Sequence, residues 1–210
     1  MQPFTKEERA AIETAITRAE KHTSGEIVVV VARASGGYWS LALMWSALLA
    51  LAVPLPLILL TKWPVEYIYL LQLATFVICV ALIQLEPLRL QLTPTSIQRA
   101  RAHDKAVEQF LAQNMHTTHG RTGVLIYVSF AERYAEVIAD DGIYKKVRPA
   151  VWEEVIAELT SHLARGTREQ GFIAAIGMCG KVLAEHFPPG HLDKDELPNH
   201  LIVLDTYANG

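Results

Sequence analysis

Two long apolar runs dominate the pattern of the chain. Residues 38–60 contain no Asp, Glu, Lys, Arg or His, and residues 65–85 contain only Glu66, at the edge of the run. About 20 helical residues are needed to cross the roughly 30 Å hydrocarbon core of a bilayer. The two runs therefore predict a transmembrane helical hairpin with its turn at 61–64, and Pro54 and Pro56 predict a kink in the first span.

The segment before the hairpin has the pattern of one helix followed by one strand. Residues 5–8 have the form of a capping box, and apolar residues then repeat at helical spacing from Ile12 to Ala19. Residues 27–31 are an unbroken β-branched run that is too short for a helix, which predicts a central strand covered on both faces. A lone strand is unstable, so its partners must come from beyond the hairpin. The hairpin is therefore predicted to be an insertion within one domain.

Those partners are predicted in the second half of the chain. Residues 95–115 carry one apolar helical face, and 124–130 and 134–139 are predicted to be two strands joined by a tight turn. Two further helices are predicted from the apolar spacing over 151–163 and 172–183. These elements predict a three-layer α/β/α sandwich with a small mixed sheet, into which the two-helix transmembrane hairpin is inserted.

The predicted organisation has four segments. They are the first part of the α/β domain (1–37), the transmembrane hairpin (38–85), the second part of the domain (86–190) and a flexible C-terminal tail (191–210). The tail contains one apolar patch, Leu201–Leu204. That patch could dock on a partner or on the parent sheet, and the sequence leaves both alternatives open.

Charge limits the function classes and predicts an orientation. The formal net charge of −3 and a pI near 6.2 exclude the broad basic surface of a non-specific nucleic-acid binder. The hairpin tip carries only Lys62, whereas the flanking segments carry Arg18, Lys21, Arg33, Arg89, Arg99, Arg101 and Lys105. The positive-inside rule then predicts an integral protein of a bacterial-type inner membrane whose soluble domain is cytoplasmic.

The order of elements resembles a known family. A helix, the segment 24–30 (Ser-Gly-Glu-Ile-Val-Val-Val), a second helix, the segment 121–129 (Arg-Thr-Gly-Val-Leu-Ile-Tyr-Val-Ser) and a hairpin through Arg133 and Ile138 are similar to the TPM domain. The resemblance covers roughly residues 5–35 and 95–187. It implies an α/β/α sandwich and, as proposed for some members, acid phosphatase activity or calcium binding. Many relatives are lumenal or periplasmic, which opposes the orientation that the charges predict.

Two segments depart from the family pattern. The family's Asn-Asn-Gly before the second strand is Arg121-Thr122-Gly123 here. Its Gly-Tyr-Gly-Leu-Glu type segment is replaced by Asp-Asp-Gly-Ile-Tyr-Lys-Lys at residues 140–146. No catalytic residue is carried over from the resemblance, because the departures fall where an acidic metal or phosphate site is expected.

Three carboxylates are candidate metal ligands. Asp140 and Asp141 precede a glycine, and Glu26 begins the first strand, so together they could offer hard oxygen ligands to calcium, which takes six to eight. The alternative is that these acidic residues end a strand and cap the following helix. A zinc site built from His103, His116 and His119 is disfavoured, because no cysteine is near and structural zinc needs four ligands.

The expected function is that of a membrane-anchored binding or scaffolding module at the membrane surface, serving assembly, repair or quality control of membrane proteins. Two alternatives stay open: a metal-dependent acid phosphatase that uses Asp140 and Asp141, and a structural subunit of a larger membrane complex. No cofactor is expected, and calcium is the one ion with candidate ligands. The expected partners are the lipid bilayer and other membrane proteins, without nucleic acid, and the oligomeric state is open.

Overall fold

The computed structural model describes residues 4–118, 120–189, 197, 198 and 200–204. The helices are α1 (Lys6–Glu20), α2 (Trp39–Ala52), α3 (Pro54–Leu60), α4 (Val65–Ile83), α5 (Glu86–Gln91), α6 (Thr95–Ala112), α7 (Asp141–Tyr144), α8 (Pro149–Ala164) and α9 (Arg168–His186). The strands are β1 (Glu26–Ala32), β2 (Gly123–Ser129), β3 (Tyr134–Ala139) and β4 (Leu201–Leu204). The described residues divide into two compact units, one built from 4–35 and from the described residues of 101–204, the other from 36–100. We call them the sandwich unit and the hairpin unit.

The sandwich unit is built around a mixed sheet with the strand order β3-β2-β1-β4. β1 pairs in parallel with β2 and β4, and β2 pairs antiparallel with β3. Val29 lies opposite Ile126 on one side and Leu201 on the other. This confirms the prediction that β1 is a central strand whose partners follow the insertion.

Part of the predicted C-terminal tail forms a strand of the sheet. Leu201–Leu204 forms β4 on β1, so the parent sheet is the docking site of this apolar patch. The prediction of a flexible tail is wrong at these four residues, because their apolar side chains continue both faces of the sheet. Residues 191–196, 199 and 205–210 of that predicted tail lie outside the described residues.

The sheet is covered on both faces, which confirms the three-layer arrangement. Ile27, Val29 and Val31 pack on one face with buried residues of α1, α8 and α9. Val28 and Val30 pack on the other face with residues of α6. All residues of β1 and β2 are buried, as expected for a strand pair with apolar runs on both faces.

A capping box lies at the N-terminus of α1, as the sequence predicts. The Thr5 backbone N–H donates to Glu8 Oε2 (2.8 Å), and the Glu8 N–H donates to Thr5 Oγ1 (3.1 Å). Arg168, the first residue of α9, donates from Nε and from its terminal guanidinium nitrogen to the two oxygens of Glu8, at 2.9 and 2.7 Å. The N-terminal turn of α1 is thereby held against the start of α9.

The hairpin unit contains the two predicted spans. The first helical run breaks at Val53, immediately before Pro54, as the predicted kink requires. Residues Trp39–Leu60 and Val65–Ile83 are each long and apolar enough to cross a membrane, and only 11% of each is buried. The hairpin unit extends to Ala100, beyond the predicted boundary at 85.

Candidate functional site

Asp140 is held by an arginine of the preceding turn. Both of its carboxylate oxygens lie within about 3 Å of Arg121 Nε, at 3.0 Å for Oδ1 and 2.9 Å for Oδ2. The Asp140 carboxylate also accepts the Asp141 backbone N–H at 2.7 Å, which makes it the N-cap of α7. Asp141 lies on the exposed side, with its Oδ2 3.4 Å from the same guanidinium group. The helix-capping alternative therefore describes Asp140.

Two tight turns bring Arg121 and Asp140 together. The Asp140 N–H donates to Gly123 O (2.9 Å), and the Gly142 N–H donates to Arg121 O (3.1 Å). A Cβ on Gly142 would lie 2.4 Å from Gly120 O, so only glycine permits this approach of the two backbones. Arg121 itself has a positive φ of 59°, which turns the chain so that its side chain can reach back to the acidic turn.

The third predicted metal ligand does not complete a cation site. Glu26 is buried at the start of β1, where its Cα pairs with that of Gly123. Among the residues that the structure describes, no three His, Cys, Asp or Glu side chains are grouped so that they could hold a metal. Calcium needs six to eight oxygen ligands. The turn fits an internal ion pair with Arg121 better than a divalent cation, and metal binding by Glu26, Asp140 and Asp141 stays a prediction.

The two described histidines considered for zinc lie in different surroundings. His103 Nδ1 lies 3.0 Å from both carboxylate oxygens of Glu136, on the exposed face of α6 and β3. His116 lies in the short 3₁₀ turn Met115–Thr117, and its Nδ1 is buried. His119 lies outside the described residues.

A hydrogen-bond network at the carboxyl ends of β1 and β2 was not found from the sequence. Glu132 accepts the backbone N–H of Ser35 (2.8 Å) and the hydroxyl of Ser129. The Tyr127 hydroxyl lies 2.8 Å from Ser35 Oγ. Burial, reinforced by the nearby Glu132 charge, raises the pKa of Tyr127 to about 12 although the Ser35 hydrogen bond acts in the opposite direction. The network ties the end of β1 to the β2–β3 turn.

A cavity of about 520 Å³ lies beside this network, between the β2–β3 turn and the last turns of α8. Val128, Phe130 and Leu163 give it an apolar lining. Its polar lining consists of Ser129, Arg133, Tyr134 and Thr160. Its volume falls within the range of small-molecule and side-chain pockets. The position matches the general preference of ligands for the carboxyl ends of parallel strands.

The hairpin unit has an unusual distribution of side-chain sizes. The α2 residues that are buried are small: Ala42, Ser46 and Ala50, each 1% to 4% exposed and spaced four apart. Most large side chains of the two helical runs face outward, for example Leu51 (66% exposed) and Leu59 (73%), whereas α4 buries Ile68 and Ile83. Arg89 of α5 binds the start of the first span, with one guanidinium nitrogen donating to Gly37 O (3.1 Å) and its carbon 4.3 Å from the centroid of the Trp39 ring.

Comparison with known proteins gives a partial family match and a similar fold. Residues 90–182 match the model of the TPM domain family. The chain also resembles the NMR structure of BA42 protein from the psychrophilic bacterium Bizionia argentinensis, with a TM-score of 0.61, 23% identity and 97% of each chain covered. No curated protein sequence matches the chain. The family match confirms the resemblance over residues 90–182, and β1 of the first arm pairs with β2 inside that range.

Proposed function

We propose that this chain is a membrane-anchored binding or scaffolding module that assists assembly, repair or quality control of membrane proteins, a role supported by the match of residues 90–182 to the TPM domain family. The hairpin unit is the anchor and the sandwich unit is the module. In this proposal both arms of the sandwich unit lie on the cytoplasmic side of a bacterial-type inner membrane, because the basic residues flank the hairpin and avoid its tip.

The observation that carries the proposal is the arrangement of small residues inside and large residues outside along α2 of the hairpin unit, although α4 buries Ile68 and Ile83. A helical hairpin that is folded in water buries its large apolar side chains, because their removal from water stabilises the fold. Helices in lipid gain nothing from hiding leucine, so small residues collect at their contact and large ones face the hydrocarbon. Ala42, Ser46 and Ala50 follow the second rule.

The aromatic residues support the same placement. Trp39 and Trp63 lie at opposite ends of the first span, and Tyr67 lies in the first turn of α4. All three are among the exposed side chains. Tryptophan and tyrosine concentrate at membrane interfaces, where the ring meets the headgroups. The span ends therefore coincide with the expected interfaces.

The acidic turn supports a binding role over a metal-dependent one. Arg121 supplies a positive charge to Asp140 from within the chain, so a divalent cation would have to displace it or sit beside it against electrostatic repulsion. We propose that the sandwich unit works without a resident metal. The cavity at the β2–β3 turn is then the proposed contact surface, with Arg133 as its charged residue.

Anchoring is tested by replacing residues 38–85 with a flexible Gly/Ser linker of similar reach. The full chain is expected to sediment with membranes and to resist extraction at alkaline pH, whereas the linker variant stays in the soluble fraction. Circular dichroism of the variant should show a folded α/β domain, because β1, β2 and β4 are all retained. A full chain that is released by alkaline washing would refute the anchoring proposal.

The binding role is tested by crosslinking in intact membranes and identification of the captured proteins. Arg133→Glu reverses the charge at the cavity, and Lys181→Glu makes the same change at an exposed position of α9 outside it. Membrane proteins that are captured by the wild type and by Lys181→Glu, and lost with Arg133→Glu, would support the proposed surface. Equal capture by all three variants would contradict it.

A further inference from the structure

Near the middle of the second span lies a polar side chain, Gln72, that its own helix does not satisfy. Ser46 Oγ donates to Ala42 O (3.0 Å), and Thr75 Oγ1 donates to Leu71 O (2.8 Å), so both hydroxyls are satisfied within one turn. The amide of Gln72 makes no hydrogen bond within the described part of the chain. It lies in α4, roughly 10 Å along the helix axis from Val65 and roughly 16 Å from Ile83.

That depth makes the amide of Gln72 costly in a bilayer. An unpaired amide in hydrocarbon loses the hydrogen bonds that water would supply, which costs several kcal/mol. A lysine or arginine at this place could extend to the headgroups, whereas the glutamine side chain is too short to cross roughly 10 Å. The requirement therefore falls on a hydrogen-bonding partner inside the membrane.

The position of Gln72 leaves it accessible to another helix. The side chain is half-buried on the least exposed side of α4, which it shares with Ile68, Thr75 and Cys79. Its neighbours one turn away on the outward side, Tyr69 and Phe76, are exposed. The amide thus lies at the margin of the α2–α4 contact, where an approaching helix can reach it.

On the premise that the hairpin unit spans the membrane, as proposed above, we propose that Gln72 pairs with Gln72 of a second copy and makes the chain a homodimer in the bilayer. A primary amide carries both donors and an acceptor, so two symmetry-related glutamines satisfy each other with two reciprocal hydrogen bonds. Such a pair is self-complementary, which is the condition for an isologous two-fold interface. Glutamine is among the side chains that hydrogen-bond across membrane helices.

The test reconstitutes the full chain in phosphatidylcholine liposomes and measures energy transfer between donor- and acceptor-labelled copies over a series of protein-to-lipid ratios. Gln72→Leu removes the amide at nearly constant volume. Gln84→Leu makes the same change at the C-cap of α4, where the side chain is exposed at the end of the span. Gln72→Asn keeps an amide and serves as the rescue variant.

We expect the wild type and Gln84→Leu to dimerise with the same apparent association constant. For Gln72→Leu we expect an association constant about five- to tenfold lower, in line with the measured strength of polar contacts between membrane helices. Gln72→Asn should recover part of the difference. Equal constants for the wild type and Gln72→Leu, or a wild type that is monomeric at every ratio, would overturn the proposal, the second result pointing to a different membrane protein as the partner.

Flotation of the same liposomes separates this inference from the proposed function. Protein that floats and resists alkaline extraction yet stays monomeric contradicts only the pairing of Gln72. Protein that fails to float contradicts the membrane anchor and, with it, the premise of the pairing.

Discussion

The two units of the chain use apolar residues in opposite ways. In the sandwich unit the large side chains Tyr127, Ile126 and Phe172 are fully buried. In the hairpin unit the fully packed positions of α2 are small, and Leu51 and Leu59 face outward. The difference is the one expected if the sandwich unit is solvated by water and the hairpin unit by lipid, as proposed above. Side-chain size at the helix contact is therefore as informative as the hydropathy of the span.

The largest expected effect is all-or-none labelling of introduced cysteines, which reports the side of the membrane on which the hairpin tip and the sandwich unit lie. Cysteines are introduced at Lys6 and Lys62 in a chain with Cys79→Ser and Cys179→Ser, and intact cells are treated with a membrane-impermeant maleimide. Because basic residues flank the hairpin, Lys62→Cys should be labelled and Lys6→Cys should be labelled only after permeabilisation. The reverse pattern would mean that the sandwich unit is extracytoplasmic.

Truncating one aliphatic side chain in each unit should lower the free energy of unfolding by amounts that differ by several kcal/mol. Ile126→Ala removes a side chain that is 0% exposed at the centre of the sheet, and should lower the free energy of unfolding by about 2–5 kcal/mol. Leu59→Ala removes one that is 73% exposed, and should change it by less than about 0.5 kcal/mol. Urea unfolding of the full chain in detergent micelles, followed by circular dichroism, gives both values. Similar losses for both variants would show that the hairpin unit packs its large side chains against protein.

The ion pair in the acidic turn should give the next largest effect. Arg121→Ala leaves the carboxylate of Asp140 buried with only its capping hydrogen bond, and should destabilise the sandwich unit by about 1–3 kcal/mol. Lys181→Ala, at an exposed position, is the control and should have no measurable effect. Thermal unfolding monitored by circular dichroism provides the comparison.

The same assay tests calcium at this turn. Millimolar calcium should leave the melting temperature of the wild type unchanged relative to chelator, because Arg121 already neutralises Asp140. A ligand present at a hundred times its dissociation constant would stabilise the folded state by about 2.7 kcal/mol. A calcium-dependent rise that disappears in Asp140→Ala/Asp141→Ala would establish the metal site and revive the phosphatase alternative.

The smallest expected effect is a pH dependence confined to the sandwich unit. The hydrogen bonds from Arg168 lower the pKa of Glu8 below its ordinary value of 4.5. The stability that this carboxylate contributes is therefore fully present above that value and is lost as the pH falls through the lower value of the folded state. Glu8→Gln keeps the capping box but cannot ionise. Its urea midpoint should fall less than that of the wild type between pH 7 and pH 3, and an identical fall would show that Glu8 contributes nothing.

The sequence predicted best what depends on the local spacing of apolar residues. The central strand β1, the capping box at Thr5, the break before Pro54 and the insertion of the hairpin between paired strands are all present in the structure. Each of these follows from a pattern within a few turns of chain, or from the rule that a strand needs a partner.

Contacts between distant residues were not predictable in the same way. Arg121 and Asp140 meet because of the β2–β3 register and a left-handed turn, neither of which leaves a mark in residue spacing. Glu132 binds Ser35 across the insertion, and β4 lies in a segment whose composition suggested flexibility. Gln72 is visible in the sequence as a glutamine, but that its amide makes no hydrogen bond to the described residues is known only from the packing of α4.

Because the partners of β1 lie far along the chain, β1 is synthesised well before the strands with which it pairs. The ribosome completes β1 at residue 32, whereas its first partner, β2, is complete only at residue 129 and its second, β4, at residue 204. At roughly 5–20 residues per second, β1 waits roughly 5–20 s for β2 and roughly 9–34 s for β4. During that interval a β-branched strand with two unpaired edges, the kind of segment prone to aggregate, is exposed on the nascent chain while the hairpin is translated. If the hairpin unit is the membrane anchor proposed above, its early insertion would hold nascent chains apart before β1 is paired.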